Sequence, residues 1–125
     1  MEVIINVCFA AVVVWFAYRQ FGPAKGLRSL RSEAFLKELE AGGSLLIDVR
    51  EAAEYHSGHI PGARNMPLSR LGERLSELPK EGRLLLYCRS GMRSKTAARL
   101  LKSGGYVQLA HLKGGLGAWS GKLTK

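Results

Sequence analysis

The segment Leu84-Leu-Leu-Tyr-Cys-Arg-Ser-Gly-Met-Arg-Ser94 joins a short apolar run to a polar loop carrying a cysteine, two arginines, two serines and a glycine. A nearly continuous run such as Leu84 to Tyr87 is what a strand buried on both faces of a parallel sheet requires. A helical pattern begins around Arg93, continues to Lys102 and is closed by Gly104-Gly105. Cys88 therefore falls at the carboxyl end of a parallel strand, where open α/β folds bind ligands, and above a helix amino terminus with unpaired N–H groups. That setting, with Arg89 and Arg93 beside it, favours thiolate over thiol. Gly91 lets the loop curl so that successive N–H groups face inward on an anion. Ser94 is placed to cap the helix or to donate a hydroxyl. A cysteine at a strand end can also serve as a small buried hydrophobe, but the concentration of arginine, serine and glycine around this one argues for chemistry.

Working outward, Ser44-Leu-Leu-Ile-Asp-Val49 repeats the pattern of the central strand, and Tyr106 to Leu109 is a weaker strand candidate. Helices are predicted from Ser32, as a cap, through Phe35, Leu36 and Leu39 to Gly42-Gly43, and from Ser69 to Leu78. Helices alternating with short buried strands imply a three-layer α/β domain with a central parallel sheet. The 125 residues suffice for one such domain. With 46% apolar and 23% charged residues, the composition is that of a globular chain, neither disordered nor polytopic.

The amino-terminal end is different. Residues 3–18 are apolar on every side except at Asn6, and Trp15 and Tyr18 sit next to Arg19 in the manner of an interfacial belt. The chain is accordingly divided into a transmembrane anchor over 1–21, a linker over 22–26 containing Gly22-Pro23 and Gly26, and a folded domain over 27–125. As a helix the run reaches about 24 Å, against a hydrocarbon core of about 30 Å. A cleaved signal peptide would want a positive start and a small-x-small site, and a core strand would be shorter. Nineteen Lys and Arg against ten Asp and Glu give a net charge of +9, with no basic residue before Arg19. Arg19, Lys25, Arg28 and Arg31 follow the apolar run closely, so the positive-inside bias puts a single-pass protein's carboxyl-terminal domain on the cytoplasmic side. Basic residues never adjoin and are not interleaved with aromatics, which argues against nucleic acid as a partner. Cys8 and Cys88 lie in unlike settings, so a disulfide between them is not expected. No cysteine–histidine spacing suits a metal and no phosphate-binding fingerprint is present, so neither metal nor cofactor is expected.

Three segments together resemble the single-domain rhodanese-like sulfurtransferases: Leu46-Ile-Asp-Val-Arg-Glu-Ala-Ala-Glu-Tyr-His-Ser-Gly-His-Ile-Pro-Gly-Ala63, the loop Cys88-Arg-Ser-Gly-Met-Arg-Ser94, and Gly114-Gly-Leu-Gly-Ala-Trp119. The resemblance spans Leu27 to about Lys122. It implies that Cys88 accepts a sulfane sulfur from thiosulfate, a polysulfide or a persulfide and passes it to a thiol, a protein acceptor or cyanide. It further implies that Arg89, Ser90, Gly91, Met92 and Arg93 form the substrate-cradling loop, and that Asp48 and Arg50 are a supporting pair. His59 reads as a hydrogen-bonded buried histidine, while His56 and His111 have no assigned partner.

Other readings remain open. A cysteine phosphatase or arsenate reductase shares the strand, loop and helix but resembles a Cys-x5-Arg pattern, whereas only four residues separate Cys88 from Arg93. A non-catalytic recruitment module would not need Cys88. A membrane-tethered persulfide relay, with the membrane held through residues 3–18, would combine recruitment with transfer.

Overall fold

The computed structural model describes residues 2–21, with side chains through Ala17, and residues 27–125. The linker expected over 22–26 lies outside the described residues.

Five parallel strands form one sheet: β1 (Leu27–Leu30), β2 (Ser44–Asp48), β3 (Arg64–Asn65), β4 (Arg83–Tyr87) and β5 (Leu109–Leu112). Their order is β1-β5-β4-β2-β3. The chain moves outward from β2 to β3, then returns to lay β4 on the other side of β2, so the connections diverge around the β2–β4 pair. This is the position at which a parallel sheet opens a crevice beyond its carboxyl ends. Asp48 of β2 stands level with Tyr87 of β4, and Cys88 follows immediately.

The period of two along β4 divides the core. Leu84, Leu86 and Cys88 join Val49, Leu71, Ala97 and Leu101 on one face, covered by α4 (Leu68–Leu71) and α5 (Met92–Ser103). Leu85 and Tyr87 join Phe35, Leu46, Ile60 and Leu112 on the other, where α2 (Ser32–Ala41) and Trp119 pack. Burying each large apolar side chain is worth about 1.5–3 kcal/mol, so the uninterrupted run in β4 stabilises both layers at once.

The remaining elements depart from the sequence-based expectation in instructive ways. The helix expected over Ser69–Leu78 breaks into α4 and a 3₁₀ turn at Leu75–Glu77. Gly72 weakens the helix there, and the Tyr106 hydroxyl reaches the carbonyls of Leu75 (2.5 Å) and Leu78 (2.8 Å). The last strand starts three residues later than Tyr106, because the Tyr106 N–H closes α5 on the Leu101 carbonyl and Val107 is exposed. Ser32 does not cap α2; its hydroxyl instead accepts the N–H of Ser120 at 3.0 Å. The short helix α3 (Ala52–Ser57) carries a capping box between Glu51 and Glu54.

At the amino terminus, α1 runs Glu2–Phe21 and the side chains of residues 2–17 are exposed. Among the described residues no helix is long and apolar enough to cross a membrane. The transmembrane helix expected over residues 1–21 is therefore not supported.

Tyr106→Phe leaves the ring in place and takes away the hydroxyl that holds the turn before β4. It should lower stability by about 1–2 kcal/mol in urea unfolding, with the unfolding slope unchanged.

Candidate active site

Cys88 has no exposed surface. Its sulfur faces the start of α5 and accepts the N–H of Gly91 at 3.0 Å and that of Ser94 at 3.4 Å. Gly91 makes this possible by adopting φ +99°, a conformation that side chains disfavour. The loop is held from below by the segment after β5. The N–H groups of Leu116 and Gly117 donate to the carbonyls of Cys88 (2.9 Å) and Arg89 (3.1 Å). This approach is so close that a Cβ on Gly115 would lie 2.5 Å from the Arg89 backbone, which accounts for Gly115.

Ser94 is buried in the first turn of α5 and connects the sulfur to a histidine. Its hydroxyl lies 3.7 Å from Cys88 Sγ, donates to the Gly91 carbonyl at 3.1 Å and stands 2.8 Å from His111 Nδ1. His111 Nε2 is 2.8 Å from Ser29 Oγ. With the Ser94 proton on the carbonyl, Nδ1 carries the ring proton and Nε2 accepts from Ser29. Burial, assisted by the charge of Lys95, moves the His111 pKa below its ordinary value, so the ring stays neutral.

Two ion pairs border the loop. Asp48 and Arg50 are both buried, with Arg50 Nη2 2.7 Å from Asp48 Oδ2 and Arg50 Nε 3.0 Å from each carboxylate oxygen. Arg50 also donates to the Gly58 carbonyl at 2.6 Å, and the Asn65 amide donates to the Asp48 and Arg50 carbonyls. Arg50 thus fastens the end of β2 to the end of α3, and Asn65 fastens it to β3. The second pair joins α3 to the loop: Arg93 Nη1 and Nη2 donate to Glu54 Oε1 and Oε2 at 2.6 and 2.9 Å. Arg93 holds the Glu54 carboxyl at about 2, against the opposing effect of burial.

The structure brings all the expected site residues to one end of the sheet, in different roles. Gly91 and Ser94 touch the sulfur, while Arg89, Ser90 and Met92 are exposed around it. Arg93 is turned to Glu54, and Asp48 and Arg50 lie behind the loop. Arg50, Glu54, Ser57, Arg89, Leu116 and Gly117 line a cavity of about 440 Å³ beside it. His59 is buried, stacks on Tyr55 and has its Nδ1 2.9 Å from the Tyr55 carbonyl, so it belongs to the scaffold. His56 is exposed, edge-on to Tyr55. Sequence reasoning did not link Glu54 to Arg93 or His111 to Ser94. Their separations, 39 and 17 residues, follow no local period that could have signalled either. Among the described residues no cluster of His, Cys, Asp and Glu could hold a metal.

The Rhodanese-like domain family model matches residues 32–122. The chain belongs to the rhodanese-like domain family. It is 36% identical to the uncharacterized protein YqhL of Bacillus subtilis over 122 residues, 98% of this chain and 95% of that one. A sulfurtransferase of Allochromatium vinosum is 42% identical over 61% of this chain and 71% of its own. Among solved structures, a human single-domain sulfurtransferase superposes with a TM-score of 0.69 at 28% identity, covering 73% of this chain and 93% of its own. Rhodanese-like architecture thus accounts for the central parallel sheet and for a cysteine loop over the helix that follows β4.

A carboxyl held at about 2 in the fold, against an ordinary value of 4.5, adds stability that is complete above pH 5 and is lost as pH falls through about 2. Glu54→Gln should therefore lower stability at pH 7 by up to about 1 kcal/mol, since this partly exposed pair is screened by solvent. Urea unfolding at successive pH values should show the difference from wild type shrinking below pH 4.5 and vanishing near pH 2.

Proposed function

We propose that this chain is a sulfurtransferase that carries a sulfane sulfur on Cys88. The observation that carries this reading is the sulfur seated under the N–H groups of Gly91 and Ser94 at the head of α5, inside a Cys-Arg-Ser-Gly-Met-Arg loop. In the first half-reaction the Cys88 thiolate attacks the outer sulfur of the donor. A Cys88 persulfide forms and the donor's inner S–S bond breaks, its electron pair leaving with sulfite from thiosulfate or with a thiolate from a persulfide. Two N–H dipoles aimed at the sulfur stabilise negative charge there before and after the step. In the second half-reaction an acceptor thiolate or cyanide attacks the terminal sulfur and Cys88 departs as thiolate. The cycle is redox-neutral and needs no metal or cofactor.

Arg89 supplies exposed positive charge at the entrance, Ser90 and Met92 form the rim, and Asp48 and Arg50 brace the end of β2 beside the strand from which the loop leaves. The spacing of four residues between Cys88 and Arg93 supports sulfur chemistry over phosphatase or arsenate reductase chemistry. A relay to a protein acceptor is a second form of the same reading, favoured by Met92, whose side chain is 77% exposed beside the sulfur. Wild-type protein treated with thiosulfate or a persulfide should gain the mass of one sulfur atom on Cys88, and Cys88→Ser should abolish that gain and at least 99% of turnover, with circular dichroism unchanged. Normal turnover by a folded Cys88→Ser protein would sink the assignment.

For location, α1 serves as a single-pass membrane anchor with the folded domain on the cytoplasmic side. Exposed Val3, Ile4, Val7, Phe9 and Val14 support this, since apolar side chains all around a helix are unfavourable in water and are covered in lipid. The basic residues after the helix support the orientation. A reporter that works only outside the cytoplasm, fused after Lys125, should be silent, and an impermeant thiol reagent should leave Cys88 unlabelled in intact cells. Reporter activity would reverse the orientation, and a soluble, shortened product would replace the anchor with a cleaved signal.

A further inference from the structure

The cavity beside the cysteine loop has a carboxylate in its wall. Leu116 and Gly117, bonded to the carbonyls of Cys88 and Arg89, place this hollow directly against the loop. Arg50 and Arg89 line it and Arg93 is paired with its Glu54, but two of these three arginines are already matched: Arg50 by Asp48 and Arg93 by Glu54. Arg89 alone of the three has no carboxylate partner among the described residues. The five charges together therefore amount to a single positive one. Glu54 acts twice in this balance, because it occupies both terminal nitrogens of Arg93 and also lines the cavity itself.

Donors differ in the charge they bring. Thiosulfate enters as a dianion, so one of its charges meets no counterpart in the wall. An organic persulfide carries one negative charge at its reacting end, which Arg89 balances. We propose that Glu54 is a specificity-determining residue that turns the site away from thiosulfate and toward singly charged organic persulfides. This rests on the sulfurtransferase reading above and names its donor class. The loading step is the one already written, with the persulfide's carbon-bearing sulfur leaving as a thiolate and no further reactant consumed.

Second-order rate constants for adding one sulfur to Cys88, read by rapid quench and intact-protein mass, test this with thiosulfate and 2-hydroxyethyl persulfide as donors. Wild type should prefer the persulfide. Glu54→Gln keeps an oxygen for the α3 capping box while removing the charge, and should raise the thiosulfate-to-persulfide ratio about fivefold, the size expected for one partly screened charge. The double variant Glu54→Gln/Arg93→Gln restores the wild-type charge balance and should lose that gain. An unchanged ratio in Glu54→Gln, including a proportional loss with both donors, would overturn the inference, as would a gain that survives in the double variant. Failure of both donors to load the wild-type protein would instead overturn the sulfurtransferase reading, and this inference with it.

Discussion

Two short contacts, from the N–H groups of Gly91 and Ser94 to the Cys88 sulfur, set the terms for the rest of the molecule. For the sulfur to meet those groups, β4 must end at Tyr87 and α5 must begin within four residues, which only a left-handed turn at Gly91 achieves. The turn then needs a floor. The backbone of 115–117 provides it from beneath, and that segment fits only because Gly115 has no side chain. Burying the sulfur and its donors together keeps their dipoles out of competition with water, where the same contacts would be much weaker.

The two ion pairs have different physical characters. Asp48–Arg50 is almost wholly buried and both carboxylate oxygens are bonded to the guanidinium, so removing either partner would strand a charge in the interior. Glu54–Arg93 is about one-third exposed, with the Glu54 carboxylate accepting the Glu51 N–H as well. The first ties the end of β2 to the end of α3; the second joins α3 to the cysteine loop at the solvent boundary.

What the sequence made legible was local. The strand before Cys88, the glycine turn and the following helix occupy one continuous segment, and their chemistry could be read from adjacent residues. Ser44–Asp48 was equally plain, because a strand covered on both faces is a short apolar run. Strand β5 was harder: His111 interrupts its apolar pattern, while Tyr106 and Val107 imitate a strand just before it. The two-residue β3 and the edge strand β1, Leu-Arg-Ser-Leu, carry too little pattern to announce themselves. Ser32 looked like a cap because serine prefers that position, yet Ser120, brought near by the fold, took its hydroxyl. Glu54 with Arg93, and Ser94 with His111, are tertiary meetings for which sequence holds no spacing rule.

The complete burial of the Cys88 sulfur has a consequence for its chemical survival. Arg89, Ser90 and Met92, the exposed part of the loop, lie in its place at the surface. A sulfur with no exposed surface is out of contact with peroxide in bulk water. The burial that seats the sulfur under its two N–H donors therefore also shields it from oxidants, to which a cysteine is susceptible in proportion to its exposure.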